Sequence, residues 1–397
     1  MRILTFSTLF PNAVQPTHGI FVENRLRQLV RTGQVSAHVV APVPWFPWRH
    51  RYFGKYADFA RVPKTETRHG LIVHHPRYLH IPKVGMNAAP RLMFNSVRAT
   101  IGQIIEEHGP FDLIDAHYFY PDGVAAAHLA QTFNLPFTVT ARGTDINLIP
   151  QYASPKAQIL WAAARASGII TVAGALKDAL EDMVPPDVTL PPTRVLRNGV
   201  DLQAFRPTER GKVRQKLGLT RPTLLSVGHL IERKGHHLVI KALESLDGVD
   251  LLIAGEGPER RSLERLTDEL GLRDRVTFLG VLPHENLFEF YSAADALVLA
   301  SSREGWPNVL LEAMACGTPV IATNVWGSGE VVGAPEAGVV VDERSPQALA
   351  SAAGALLANL PDRAKTRTYA EAFSWDETSQ GQIDLFGEII AQHTRRG

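Results

Sequence analysis

The chain has 397 residues, of which 20% are charged and 45% hydrophobic, with 31 Gly, 27 Pro and a single Cys. That length suits two or three domains of about 150 residues each, and the composition excludes collagen-like, coiled-coil and disordered classes. One cysteine excludes an intrachain disulfide and a CxxC metal knuckle and fits a reducing compartment, while the formal net charge of +1 hides a split between a basic first half (20 Lys and Arg against 13 Asp and Glu in residues 1–200) and an acidic second half (21 against 27).

The opening RILTFSTL reads as a buried strand; its apolar run breaks at PNAVQPTHG without a cleavage-site pattern, which argues against a signal peptide. GIFVENRLRQLVRTG has a helical period and a glycine stop, and SAHVVAPVP reads as the next strand. Residues 43–59 interleave Trp45, Phe46, Trp48, Tyr52, Phe53 and Tyr56 with Arg49, Arg51 and Lys55. Aromatic rings beside cations suit an anionic membrane surface, an acceptor cleft or a packed loop, and the residues alone leave the three open. Then follow a strand in LIVHHPRYL, a helix in NSVRATIGQIIEEHG, a strand in DLIDAHY, a helix in GVAAAHLAQTF and a strand in PFTVTARG. Strand and crossover helix in alternation predict a mostly parallel, Rossmann-like sheet covered on both faces.

PPDVTLPPTRVLRNGVDLQAFRPT, with its proline pairs and Asn-Gly turn, reads as a linker. After it TLLSVGH, VDLLIAGEG, VTFLG, ALVLASS, PVIATN and AGVVV are strands separated by helices such as HHLVIKALESL and ENLFEFYSAAD. The expected organisation is therefore two α/β domains, 1–200 and 201–375, with a ligand cleft between them, and a helix over 376–397 packing back toward the first. No run of 18 residues is free of charges and polar breaks, so any membrane role is expected to be peripheral.

The chemistry concentrates in ASSREGWPNVLLEAMACGTPVIATN, residues 300–324. A strand ends in a polar turn holding Glu304, Gly305 and Trp306, and Pro307 stands near the start of a helix that Gly317 terminates. Glu304 in the loop and Glu312 in the helix set two carboxylates along one edge, which suits a polyol such as a nucleotide sugar; two ordinary surface contacts would give the same spacing.

This stretch resembles the signature of the family 4 glycosyltransferases, retaining enzymes of the GT-B fold. DAHYFYPDG, TVTARGTD, NGVDLQAFRP, LLSVGHLIERKG and IAGEGPER fall in the order such enzymes use. The resemblance implies an α/β GT-B architecture of two Rossmann-like α/β/α domains with an interdomain cleft. It implies Glu304 on the hydroxyls of the donor sugar and Glu312 on the ribose, with the backbone of Gly305, Trp306 and Pro307 along sugar or diphosphate. Lys234 matches the lysine that neutralises the diphosphate; His229 stands where the family has arginine, and either it supplies a hydrogen bond or Arg233 supplies the missing charge. Gly257 marks a turn near the nucleotide, and Gly19 a close approach to the diphosphate or acceptor beside His18. His117, at a strand end, takes the family role of contacting the transferred sugar near its reacting end, while Arg142 and Asp145 are cleft or acceptor residues.

The implied activity is transfer of a hexosyl-type group from a nucleoside diphosphate sugar to an acceptor hydroxyl with retention. Lys234 would stabilise charge on the departing diphosphate and Glu304 would position the sugar. The expected acceptor is a lipid-linked saccharide in cell-surface polysaccharide synthesis, with a soluble sugar phosphate or small metabolite as the alternative and a non-catalytic sugar or membrane-surface binder of the same fold as the third reading. No metal site and no obligatory cofactor are expected, since no DxD motif accompanies the signature. The chain is expected in the cytoplasm, peripheral at the inner face of the membrane. Nucleic acid is not expected as a partner, because the basic residues are dispersed and no recognition motif accompanies them. A dinucleotide-dependent dehydrogenase is disfavoured, because no GxGxxG follows the first strand.

Overall fold

The computed structural model of the chain describes residues 1–50, 52, 55–80 and 85–395. It divides into two units, Met1–Leu196 with Asp376–Gly397, and Arg197–Trp375.

The first unit contains β1 (Arg2–Phe6), β2 (Ser36–Val40), β3 (Val43–Pro44), β4 (Thr65–Arg68), β5 (Leu71–His74), β6 (Arg77–Tyr78), β7 (Leu113–His117), β8 (Phe137–Ala141), β9 (Gly168–Thr171) and β10 (Thr193–Val195). Eight of them form one sheet in the order β10-β9-β8-β7-β1-β2-β5-β4, and β3 pairs with β6 separately. All neighbours in the large sheet are parallel except β4, which runs antiparallel to β5 at the edge. β7, β8 and β9 are buried along their whole length, as strands covered by helices on both faces must be.

Helix Ile20–Arg31 shows why the flanking segments fold as they do. Val22, Leu26 and Leu29 recur on its buried stripe, with Glu23 in the first turn and Arg31 in the last, matching the helix dipole at both ends. Helix Trp375–Thr394 contributes Ile383, Leu385, Phe386 and Ile389 to the same core as Ile3, Val22, Leu26 and Ile170.

In the second unit β11 (Thr223–Val227), β12 (Asp250–Ala254), β13 (Val276–Gly280), β14 (Ala296–Leu299), β15 (Val320–Thr323) and β16 (Gly338–Val341) form an all-parallel sheet in the order β13-β12-β11-β14-β15-β16. Its core gathers Leu224, Val239, Ile240, Leu251, Ile253, Val298 and Ile321. Each unit is thus a Rossmann-like α/β/α layer structure. In each, the strand order reverses at one place, beside β1 in the first and β11 in the second, and ligands of such sheets bind at the carboxyl ends of the strands there.

Two expectations need correction. The proline-rich stretch 185–208 is not linker throughout: Thr193–Val195 pairs with β9 as a three-residue edge strand. LIVHHPRYL is not one strand but two, β5 and β6, because Pro76 lacks the N–H needed to continue the ladder.

Candidate active site

In the second unit, β11 and β14 are hydrogen-bonded neighbours, so the loops that follow them lie side by side. The loop after β11 leads into a short turn, Glu232–Lys234, and the loop after β14 carries Ser301 to Glu304. Ser302 N donates to Arg233 O at 2.8 Å and Arg233 Nη1 to Arg303 O at 2.7 Å, which fastens the two loops together. Across them Lys234 Nζ donates to Glu304 Oε1 at 2.6 Å, Ser301 Oγ donates to the same oxygen at 2.6 Å, and Arg233 Nη1 stands 3.7 Å from Oε2. Burial alone would raise the Glu304 carboxyl, but the charge and hydrogen bond of Lys234, with Ser301 and Arg233, outweigh it and hold the group below the usual glutamate value. Arg233, Lys234 and Glu304 therefore form one cluster. His229 is exposed at the loop and enters no hydrogen bond of this cluster among the described residues.

Glu312 lies on helix Asn308–Ala315, with Pro307 immediately before its first residue. Tyr291 Oη donates to Glu312 Oε2 at 2.8 Å and His284 Nε2 meets Oε1 at 3.2 Å. Burial would lower His284, but its hydrogen bond and ion pair with Glu312 raise it above the usual histidine value. Trp306 turns its indole inward: it is 7% exposed, its Nε1–H donates to Asn198 O at 3.0 Å, and Phe373 and Arg197 pack on the ring. The side chain anchors the turn within the second unit. Gly257 is held by packing, since a Cβ there would lie 2.3 Å from Leu230 O.

In the first unit the loops after β1, β7 and β8 converge. Asp122, buried and missed in the sequence, accepts from Thr8 N at 2.6 Å, Thr8 Oγ1 at 3.0 Å and Ser7 Oγ at 3.2 Å. Burial pushes its carboxyl up to about 7. His18 Nε2 meets Thr8 O at 3.1 Å. Gly19, at φ +69°, lets the helix start press against this loop: a Cβ there would sit 2.2 Å from the Leu9 carbonyl carbon.

His117 ends β7 and is 1% exposed. Arg142 Nη2 approaches its Nδ1 at 2.6 Å, and its Nε2 lies 3.1 Å from Asp115 Oδ2. A guanidinium only donates, so Nδ1 accepts and Nε2 carries the proton, given to Asp115. Both ring nitrogens are thus engaged within the unit, which fixes the plane and tautomer of the ring. Burial first, then Arg142 and Arg25 against the opposing pull of Asp115, lower the ring to about 4, which keeps it neutral. Asp145 accepts from the backbone N–H groups of Phe119, Arg142 and Gly143 at 2.8 to 3.0 Å, pinning the β8 loop to the β7 loop. Asp115 was legible in principle, since the strand period of two puts it on the same side as His117.

Of the aromatic-basic segment, Trp45, Trp48 and Tyr52 are 53%, 58% and 85% exposed. Phe46 packs on Trp48 and Tyr56, and Tyr56 on Phe59. Trp45 N donates to Tyr78 O at 2.7 Å beyond the β3–β6 pair, which brings exposed Leu79 to the same end of the ladder. Arg51, Phe53 and the Lys55 side chain lie outside the described residues. Among the described residues no group of His, Cys, Asp or Glu is arranged to hold a metal ion, and no helix is long and apolar enough to cross a membrane.

Residues 19–204 match the family described as Glycosyltransferase Family 4, and residues 209–373 that described as Glycosyl transferases group 1. The chain is 30% identical over 360 residues to TuaC of Bacillus subtilis, named as a teichuronic acid biosynthesis glycosyltransferase, covering 89% of this chain and 88% of that one. It is 30% identical over 373 residues to the D-inositol 3-phosphate glycosyltransferase of Xylanimonas cellulosilytica, covering 87% and 88%. Among solved structures it is similar to sucrose-phosphate synthase from Thermosynechococcus elongatus, with a TM-score of 0.79, 25% identity and coverage of 98% and 99%. It shares its fold with Anabaena HepE in complex with UDP, at a TM-score of 0.73 and 20% identity over 98% and 100% of the chains.

Proposed function

The chain belongs to the family 4 glycosyltransferases, GT-B enzymes that move a sugar from a nucleoside diphosphate sugar to an acceptor, and from that premise we propose that it transfers a hexosyl group, with retention, to a lipid-linked saccharide in cell-surface polysaccharide synthesis. The observation that carries this reading is the contact of Lys234 with Glu304 across the loops after β11 and β14. One side chain has the charge a departing diphosphate needs, and the other the acceptor oxygens that sugar hydroxyls need. Donor binding inserts between them: the diphosphate takes over Lys234 and Arg233, and the sugar hydroxyls take over Glu304. Glu312, oriented by Tyr291 and His284, receives the ribose hydroxyls, and His117 with Arg142 serves the transferred sugar near its reacting carbon. His18, Gly19 and Asp145 shape the acceptor side.

The TuaC relative supports a cell-surface glycan, and the exposed Trp45 and Trp48 beside Arg49 support docking on an anionic membrane at its cytoplasmic face. A second reading, a soluble phosphorylated acceptor, is favoured by the D-inositol 3-phosphate glycosyltransferase relative. The deciding experiment is a donor screen with lipid-linked and soluble phosphorylated acceptors, the product's anomeric configuration read by NMR, and Glu304→Gln as the control. Retained configuration with a lipid-linked acceptor is the expected result. Turnover confined to soluble acceptors, or inversion, overturns the corresponding part of the proposal.

A further inference from the structure

Behind His117 the first unit holds a chain of buried polar groups, two of which, Arg25 and Gln382, lie outside the family motifs. Gln382, on helix Trp375–Thr394, lies between Arg25 on helix Ile20–Arg31 and Asp115 on β7. Arg25 Nε donates to Gln382 Oε1 at 2.9 Å, and Gln382 Nε2 donates to Asp115 Oδ2 at 3.2 Å. The amide orientation follows from chemistry: a guanidinium can only donate and a carboxylate only accept, so the carbonyl must face Arg25 and the amine Asp115. Thr138 Oγ1 donates to the other Asp115 oxygen at 3.0 Å, and Arg25 Nη1 donates to Leu196 O at 2.9 Å. Arg25, Asp115, His117 and Gln382 are each 1% exposed or less.

We infer that Gln382, held by Arg25, is a positioning residue for His117: it fixes the Asp115 carboxylate that in turn fixes the tautomer and orientation of the imidazole. Without the amide, Asp115 Oδ2 has His117 as its remaining donor, and its charge falls more fully on the ring. The charged groups facing the ring are Asp115 from its own strand, Arg142 from the loop after β8, and Arg25 from helix Ile20–Arg31. Gln382 touches none of the atoms expected to react; it acts through Asp115. The helix that returns to the first unit at Asp376 thus contributes a group to the site as well as to the core. The kinetic consequence rests on the reading of His117 given above, whereas the tautomer and titration do not.

The test uses the full chain labelled with 15N-histidine, comparing wild type with Gln382→Met, which keeps the shape and loses the donor, and Gln382→Glu, which adds a charge beside Asp115. Expected in the wild type is a neutral His117 protonated at Nε2 across pH 5 to about 8. In both variants the His117 titration moves up, by about one pKa unit or more in Gln382→Glu. With a working donor, kcat falls about 10-fold and donor KM stays within about 2-fold. Thr138→Val, on β8 and outside the helix, removes the donor to the other Asp115 oxygen and keeps the link from Asp115 to the ring testable where the Gln382 variants fold poorly: His117 should shift upward there too. An unchanged His117 signal in folded Gln382 variants overturns the inference whatever Thr138→Val does, and where the Gln382 variants do not fold an unchanged signal in Thr138→Val overturns it. A shifted signal with unchanged kcat upholds the positioning and overturns the placement of His117 at the reaction.

Discussion

Lys234 Nζ and Glu304 Oε1 are 2.6 Å apart in the structure, although 70 residues separate them in the chain. The pairing of β11 with β14 brings the two loops together. The contact neutralises a carboxylate that is 8% exposed, so it serves the fold as well as the chemistry. Removing Lys234 leaves the Glu304 carboxylate, in a desolvated place, with Ser301 and the more distant Arg233.

Lys234→Ala should therefore lower stability by on the order of 3 kcal/mol and transfer by about 100-fold or more. Lys234→Ala with Glu304→Gln should regain most of the stability and none of the activity. Chemical denaturation and initial rates on the same preparations check both; a double variant no more stable than Lys234→Ala contradicts the pairing.

Glu312 is oriented at both oxygens, by Tyr291 at 2.8 Å and His284 at 3.2 Å. Glu312→Gln should raise donor KM about 10-fold with a smaller change in kcat, as expected of binding shared by ground and transition states. Tyr291→Phe should do the same more weakly, since it removes one hydrogen bond to a charged group, worth about 1.5–3 kcal/mol at most. Equal donor KM in all three proteins removes Glu312 from nucleotide binding.

Much of this architecture was legible. Alternating apolar runs and helical periods point to two parallel sheets, and Glu304, Glu312 and Lys234 stand out by motif. What escaped has physical reasons. β4 reads TETR, an exposed edge strand with no apolar face, and β10 is three residues among prolines. The contacts of Lys234 with Glu304 and of Gln382 with Asp115 depend on strand order and on a helix returning from the far end of the chain, which no local pattern encodes.

That returning helix gives a stability prediction. Phe386 is fully buried among Ile3, Val22, Leu26 and Ile170. Phe386→Ala should cost about 3–5 kcal/mol, from lost transfer energy plus the cavity left behind. Denaturant melts measure it, and a loss below about 1 kcal/mol would show that the helix is not integral to this core.

Histidines set the acid response. His38 stacks near His74 and His108, and burial first, then repulsion from His108, Arg2 and His74, lowers His38 from 6.5 to about 4. His74 is lowered for similar reasons, and burial takes His117 and His236 to about 4. A group lowered in the fold is neutral there while the unfolded chain takes up protons, so its stabilising effect is complete above about 6.5 and is lost as pH falls toward 4. His284, raised by Glu312, has the opposite sign, as do the buried carboxyls of Asp122, raised to about 7, and Asp145: each stabilises at low pH and loses that effect as pH climbs through its folded value. The lowered group is larger, so Tm should fall between pH 7 and about 5, and His38→Gln should flatten the profile. A Tm that rises on acidification contradicts this assignment.

The exposed rings at one end of the β3–β6 ladder make the membrane reading testable. Trp45 and Trp48 are more than half exposed, and Arg49 stands between these rings and Tyr52 in sequence. Such rings are costly to leave in water, and burying each at the headgroup boundary gains about 1.5–3 kcal/mol. Trp45→Ser with Trp48→Ser should therefore weaken sedimentation with anionic vesicles about 10-fold or more, at any salt. Arg49→Gln should weaken it less, and its effect should vanish at high ionic strength, because a lone cation at the surface acts through a screened field. Turnover of a water-soluble acceptor should be unchanged in both, since none of these residues lies in the clusters around Glu304 or His117. If vesicle binding is unaltered in both proteins, the aromatic segment packs or meets the acceptor instead, and the lipid-linked acceptor loses its structural support.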